Sequence, residues 1–389
     1  MKTYCKHVDP SDIGTIERFT WECISRKLRR KDYSLFVAQY CEISAKNIRR
    51  LARSGDNVFQ TLQGALRAIS LDVQARILAR DLRLDPVRYE ERYDGLSGKT
   101  RVIGIESIMQ QIMEHIAVGC LSELWEKKYE YHQYASIKGK GQLRGAKMLQ
   151  RWTKSGKTKY FVKLDVRKCF QSLTRQVCMR WLRRDIGKNE LLLWFADALL
   201  QNHGVGLIIG SLLSQFLCNY LLSYAYRYAV GLSKTRRGKR IRLVSCALFY
   251  MDDILLTGID RRNLVMAVRK LGQYMRQSFG LQIKPAWNIR RHKDCGIDMM
   301  GYVVTCSGRL KIRRRIFLRA RRAFVRANRA GDPGVKICRR VSAYFGYFKH
   351  TRIRTLKTKD RRAINTHGVN KKVSEIISLH DRRIELCAA

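Results

Sequence analysis

Three aspartates stand where apolar runs end. Asp165 closes Phe161-Val-Lys-Leu-Asp165, and Asp252 and Asp253 lie in Tyr250-Met-Asp-Asp253 between two further apolar stretches. Carboxylates from neighbouring strands can bridge two divalent cations roughly 3.5–4 Å apart, one activating an attacking hydroxyl and the other holding a leaving pyrophosphate. Magnesium takes one or two protein carboxylates and completes its shell with water and phosphate oxygens, so three aspartates suffice for two Mg2+ ions. Each residue also has a simpler reading. Aspartate is common in hairpin turns, where its side chain bonds the nearby backbone, and a strand-end aspartate often caps the next helix. Against the simple turn, both flanks of Asp252-Asp253 are apolar, and adjacent like charges at the rim of a buried sheet raise each other's pKa unless cations neutralise them.

Hydrophobic periodicity outlines the elements that must hold these residues. Phe161 to Val166 alternates as a strand, with Val162, Leu164 and Val166 on one face and Phe161, Lys163 and Asp165 on the other. Arg242 to Phe249 and Ile254 to Thr257 read as strands joined by a tight turn. A glycine-punctuated loop from Gly204 to Gly210 precedes an apolar helix from Leu212 to about Tyr228. Upstream, Ser11 to Tyr89 has helical apolar spacing, as in Ile13, Ile16 and Phe19 and in Leu62, Leu66 and Ile69. Turn residues at Asp94 to Gly98 lead into a short strand, Lys99 to Ile105, which carries Lys99 and Arg101 on one face, and then a helix from Ser107 to about Lys127. From Gly301 onward many arginines, Arg309 and Lys311 among the first of these cations, interleave with apolar residues as in an amphipathic helical module. The expected class is α/β, in the mixed α+β sense. The expected divisions are a helical N-terminal region (1–160), an α/β region carrying the aspartates (161–305) and a basic helical C-terminal region (306–389).

Charge narrows the partners. Lysine and arginine number 78 against 32 acidic residues in 389, a net charge of +46, and such an excess repels itself unless a polyanion neutralises it. The charge runs along the whole chain instead of clustering beside an apolar span, which favours nucleic acid over a membrane surface. The most apolar stretch, Leu191 to Leu222, is interrupted by Asp197, His203, three glycines and Asn219, unlike a lipid-facing span. Met1 to Asp12 is polar and unlike a secretory leader. The twelve cysteines lack the two-residue spacing of zinc sites and read as reduced thiols of a cytoplasmic protein.

The order of these motifs resembles that of reverse transcriptases: Lys163-Leu-Asp165 followed by Phe170, then Ile209-Gly210 with Ser214-Gln215, then Tyr250-Met-Asp-Asp253. Gly210 and Ser214-Gln215, where most reverse transcriptases carry Gln-Gly and Ser-Pro, resemble the enzymes of diversity-generating retroelements in particular. So do Tyr134-Ala-Ser-Ile-Lys-Gly-Lys-Gly141, Leu281-Gln-Ile-Lys-Pro-Ala-Trp-Asn288 and Gly296-Ile-Asp-Met-Met-Gly-Tyr302. The resemblance covers Lys99 to Tyr302 well and the ends in general character.

It implies a right-hand polymerase with fingers, an antiparallel-sheet palm and a helical thumb. It also implies magnesium held by Asp165, Asp252 and Asp253, a steric gate at Phe170 against the ribose 2′ hydroxyl, and a triphosphate grip at Lys99 and Arg101. Ile209, Gly210 and Gln215 would border the incoming nucleotide, and Lys284 lies near the place of a lysine that protonates pyrophosphate. Gly139 and Gly141 with Lys138 and Lys140 would approach template phosphates. The implied partners are a template RNA, primer and cDNA, deoxynucleoside triphosphates and a small basic accessory variability protein, in a bacterial or phage-encoded system. Other reverse transcriptases of group II intron, retron or phage-defence type remain rivals, as does a noncatalytic RNA-binding scaffold, although a scaffold has no need of three aspartates.

Overall fold

A computed structural model describes residues 2–55, 57–94, 98–330, 333–351 and 373–378. Its central strand, Tyr160–Arg167, forms because alternate residues satisfy two different cores. Val162, Leu164 and Val166 enter the main core, while Phe161 points to a second one. The strand pairs antiparallel with Asp253–Gly258, which pairs antiparallel with Cys246–Tyr250. The same alternation continues across the sheet, since Ala247, Phe249, Ile254 and Leu256 face the main core and Leu248 and Leu255 the second. Fully burying each such side chain contributes about 1.5–3 kcal/mol, so a one-residue slip would turn both sets the wrong way. On its other edge the central strand pairs with Gln282–Ile283 and Ile289–Arg291.

Helices cover the main-core face. Leu212–Gly231 and Arg261–Phe279 pack there, and Ser211 and Asp260 cap them by accepting from the amides of Ser214 and Asn263. The second core is closed by the helix Gln142–Lys154, through Leu149 and Trp152, and by a three-stranded sheet of Ile297–Met299, Tyr302–Val304 and Leu310–Ile312. At the N-terminal side the helices Ile13–Ile24, Val58–Leu78 and Ile108–Cys120 pack together, and the hairpin Arg88–Asp94 with Lys99–Ile105 projects beside them. No helix among the described residues is long and apolar enough to cross a membrane. The described cysteines carry no disulfide, and most are buried.

Three expectations are corrected. The predicted strand from Arg242 to Phe249 is two elements, because Lys239–Arg242 turns back to pair with Ser233–Arg236 and only Cys246–Tyr250 joins the central sheet. The helix expected from Ser107 to Lys127 divides at Leu121 into Ile108–Cys120 and Ser122–Lys128. Finally, Arg309 and Lys311 do not belong to the basic helix: alternation of Leu310 and Ile312 places this segment in the three-stranded sheet. The helix itself is Arg314–Arg329, with Ile316, Ala320, Ala323, Phe324 and Ala327 buried, and it packs on Val335–Lys349 in a third core. The expected thumb beyond residue 351, apart from 373–378, lies outside the described residues.

Candidate active site

Backbone register brings the aspartates together. Asp165, at the end of the central strand, is the direct antiparallel partner of Asp253. Directly opposed residues share a face of the sheet, with Cβ atoms about 4.5–5.5 Å apart, and opposed like charges destabilise a ladder. Tyr250 pairs with Asp253, so Met251 and Asp252 form a two-residue hairpin loop, and Met251 adopts the left-handed backbone that such loops require (φ 51°). The loop folds over the end of the central strand, where the Val166 amide donates to the Asp252 carbonyl at 3.4 Å.

Burial and mutual repulsion disfavour charge on the paired aspartates of this corner. Burial raises the pKa of Asp252 above the ordinary carboxylate range, and Asp253 and Asp165 add to the rise. Burial likewise raises that of Asp253, with Asp165 adding to it, although Lys163, Arg313 and Lys284 pull it back. Hard carboxylate oxygens in mutual repulsion at a sheet rim are the donor type that hard divalent cations take, and the three aspartates do not bring one oxygen each within 4.8 Å of one another. Lys284 reaches the same corner. Its ammonium donates to Asp165 Oδ2 at 2.7 Å, and its amide donates to the Asp165 carbonyl at 2.8 Å. Pairing of Gln282–Ile283 with the central strand sets this position.

The other candidates border this corner. Lys99, Arg101 and Ile103 alternate on one face of the strand Lys99–Ile105, and both cations are exposed. Arg101 lies near enough to Asp252 to lower its pKa. The loop of Gly204 to Gly210 meets this strand on one side, where the Gly104 amide donates to the Ile209 carbonyl at 2.8 Å. On the other side the Leu207 amide donates to the Leu173 carbonyl at 3.1 Å, just beyond the short helix Cys169–Ser172 that carries half-buried Phe170. Gln215 is half-buried in the first turn of Leu212–Gly231. Gly139 and Gly141 do adopt left-handed backbone, but Lys140 is committed elsewhere, since its ammonium donates to the Glu130 and Tyr131 carbonyls at 2.7 and 3.0 Å. Of that loop's two lysines, Lys138 is the exposed one.

Sequence reasoning missed a buried polar cluster directly behind the Gly204 to Gly210 loop. His203 Nε2 lies 3.0 Å from Oε1 of Glu106 and 3.0 Å from Oε1 of Glu114. Among the described residues this is the one group of three or more histidine, cysteine, aspartate or glutamate side chains whose ligand atoms lie within 4.8 Å of one another. Those atoms are already engaged. Glu114 accepts from the Ser211 hydroxyl at 2.8 Å and from the amides of Leu212 and Leu213 at 2.9 and 3.2 Å, at the N-terminus of a helix that favours negative charge. Burial raises the pKa of Glu106; burial opposes charge on His203, but the two carboxylates outweigh it and raise the imidazole pKa to about 9. Glu106, Glu114 and His203 are separated by up to 97 residues, and no local spacing could have revealed them.

A sequence model of the family described as reverse transcriptase (RNA-dependent DNA polymerase) matches residues 91–286, a span that contains every residue of the corner described above except Arg313. No curated protein sequence matches the chain. Among solved structures, a telomerase from Candida albicans in complex with a fragment of telomeric RNA aligns at 12% identity over 76% of this chain and 62% of that one, with a TM-score of 0.42. An apo telomerase from Candida tropicalis, truncated from its C-terminal domain, aligns at 10% identity over 69% of this chain and 71% of that one, with a TM-score of 0.40. The chain therefore spans less than two thirds of the Candida albicans protein.

Proposed function

Because the chain belongs to the reverse transcriptase family, we propose that it extends a primer 3′ hydroxyl on an RNA template, using deoxynucleoside triphosphates and two magnesium ions. The observation that carries this reading is the register that opposes Asp165 and Asp253 with Asp252 in the adjoining turn. These aspartates would hold the ions, which supply activation of the hydroxyl and neutralisation of the leaving pyrophosphate. Lys99 and Arg101 grip the triphosphate through charge-assisted hydrogen bonds. Phe170 excludes a 2′ hydroxyl by its bulk, while Ile209, Gly210 and Gln215 border the incoming nucleotide. In this reading 1–160 forms the N-terminal region and fingers, 161–305 the palm and 306–389 the thumb, whose arginines follow duplex phosphates. A divalent-cation titration of DNA-primer extension on an RNA template tests it. Extension should vanish on chelation and return with magnesium; RNA binding by wild type without extension under any divalent cation would favour the scaffold.

Within this family we infer the diversity-generating retroelement branch, supported by Ile209-Gly210 and Ser214-Gln215. The cDNA then serves to vary a target gene, and a small basic accessory variability protein is the expected partner. Free cysteines suit the reducing cytoplasm where such an enzyme meets its template. Ile209 offers no hydrogen bond to a base or sugar, unlike a glutamine. Selection should accordingly be loose, with errors concentrated opposite template adenines. Ile209→Gln is expected to lower misincorporation at adenine by about tenfold, the worth of roughly one hydrogen bond; sequencing of cDNA from both enzymes checks this, and identical error spectra would remove Ile209 from the explanation.

A further inference from the structure

The Gly204 to Gly210 loop is buried only at its centre, at Leu207 and Ile208. Gly204, Val205 and Gly210 are exposed, Val205 at 83%. Both of its ends nevertheless run into one buried knot. His203 enters it immediately before the loop and Ser211 immediately after, and within the loop the Ile208 amide donates to the Ser214 hydroxyl at 3.1 Å. Glu106 joins the knot directly after the strand Lys99–Ile105, and Glu114 from the helix that follows.

We propose that Glu106, Glu114, His203 and Ser211 form a positioning clamp that fixes the Ile209-Gly210 loop against this strand, and so sets deoxynucleotide affinity and discrimination more than the rate of bond formation. The inference rests on the polymerase reading above, because it takes this loop as the border of the nucleotide site. Apolar packing would join these elements at no loss of stability, since buried ionic groups seldom out-stabilise well-packed hydrophobic ones. A fully satisfied polar network offers something packing does not, a single rigid arrangement. Here it is satisfied throughout: Glu114 takes donors from Ser211, Leu212, Leu213 and His203, and the Gln110 amide donates to Glu106 at 3.3 Å. Asn202, one residue before His203, donates to Gln110 at 2.6 Å and extends the tie to the preceding helix.

Two measurements on His203→Ala, His203→Gln and Ser211→Ala test the clamp. In single-nucleotide incorporation the KM for the correct deoxynucleotide should rise about tenfold in His203→Ala, with kcat within about threefold of wild type, as expected when a binding surface is displaced and the reacting groups are not. His203→Gln, which keeps an amide donor, should recover part of the loss. In hydrogen exchange the amides of residues 205–210 should exchange faster while those of Tyr160–Arg167 keep their protection. Should His203→Ala fail to fold, Ser211→Ala, which deletes one hydroxyl, carries both measurements. Unchanged KM and loop exchange would overturn the proposal, as would equal acceleration in the loop and the central strand, which would mean general destabilisation. The exchange arm needs no catalysis, so a wild type that cannot extend primers would sink the polymerase reading and leave the clamp to be judged on its own.

Discussion

Asp253→Asn should lose primer extension by about three orders of magnitude or more while its cation-free form gains stability. Both effects come from one position. Asparagine keeps the shape of the side chain but not its charge, and each tenfold loss in rate corresponds to about 1.4 kcal/mol of lost transition-state stabilisation. On the proposed reading, withdrawing a carboxylate that holds the pyrophosphate-neutralising cations removes several times that. For the folded state the sign is opposite. Asp253 is pushed towards its protonated form by burial and by Asp165 across the ladder. A carboxyl whose pKa rises on folding contributes its full stability below the unfolded value and loses it as pH climbs through the folded one. At neutral pH wild type carries that cost, and asparagine removes it, for a gain of about 0.5–2 kcal/mol, the usual range when a functional conflict is relieved. The gain should shrink as pH falls towards the ordinary carboxylate range, where Asp253 takes up its proton. Thermal melts across pH together with extension assays check both halves. Extension within tenfold of wild type would end the metal-ligand assignment, and a variant less stable than wild type would end the account of the repulsion.

What the sequence disclosed follows a physical division. Alternation in Phe161 to Val166 announced both faces of the central strand, because each face is buried by its own core and neither admits exchange. The tight turn at Met251 and Asp252 was equally legible, since an interrupted apolar run demands a reversal. Local pattern failed where a partner decided the outcome. Arg309 and Lys311 look like the start of the basic helix, yet the neighbouring strand Tyr302–Val304 captures this segment. Lys140 looks like a phosphate ligand, yet two backbone carbonyls take its protons. The clamp of Glu106, Glu114 and His203 was invisible for the same reason: a buried histidine or glutamate carries no sign of its partner unless the fold has already brought them together.

Gly210→Ala is expected to raise the deoxynucleotide KM by about 10- to 100-fold. Gly210 sits at φ 122°, a backbone conformation that costs other residues about 1–3 kcal/mol. Space is the graver obstacle, because a Cβ added there would lie 2.3 Å from the Gly104 carbonyl oxygen and 3.1 Å from Ile103 Cγ2. Both neighbours belong to the strand Lys99–Ile105, and one is backbone in the ladder with Arg88–Asp94. Neither can give way cheaply, so the loop must move, and with it the bond from the Gly104 amide to the Ile209 carbonyl. A displacement of about 1 Å at a positioning surface is enough for losses of this size. Gly204→Ala provides the control. Its φ is also positive, at 80°, but an added Cβ there would meet nothing within 4 Å, so it should cost stability through the backbone alone and leave KM near wild type. If the two variants raise KM equally, loop strain and not contact with the strand Lys99–Ile105 governs the nucleotide site; if Gly210→Ala leaves KM unchanged, the loop does not border that site.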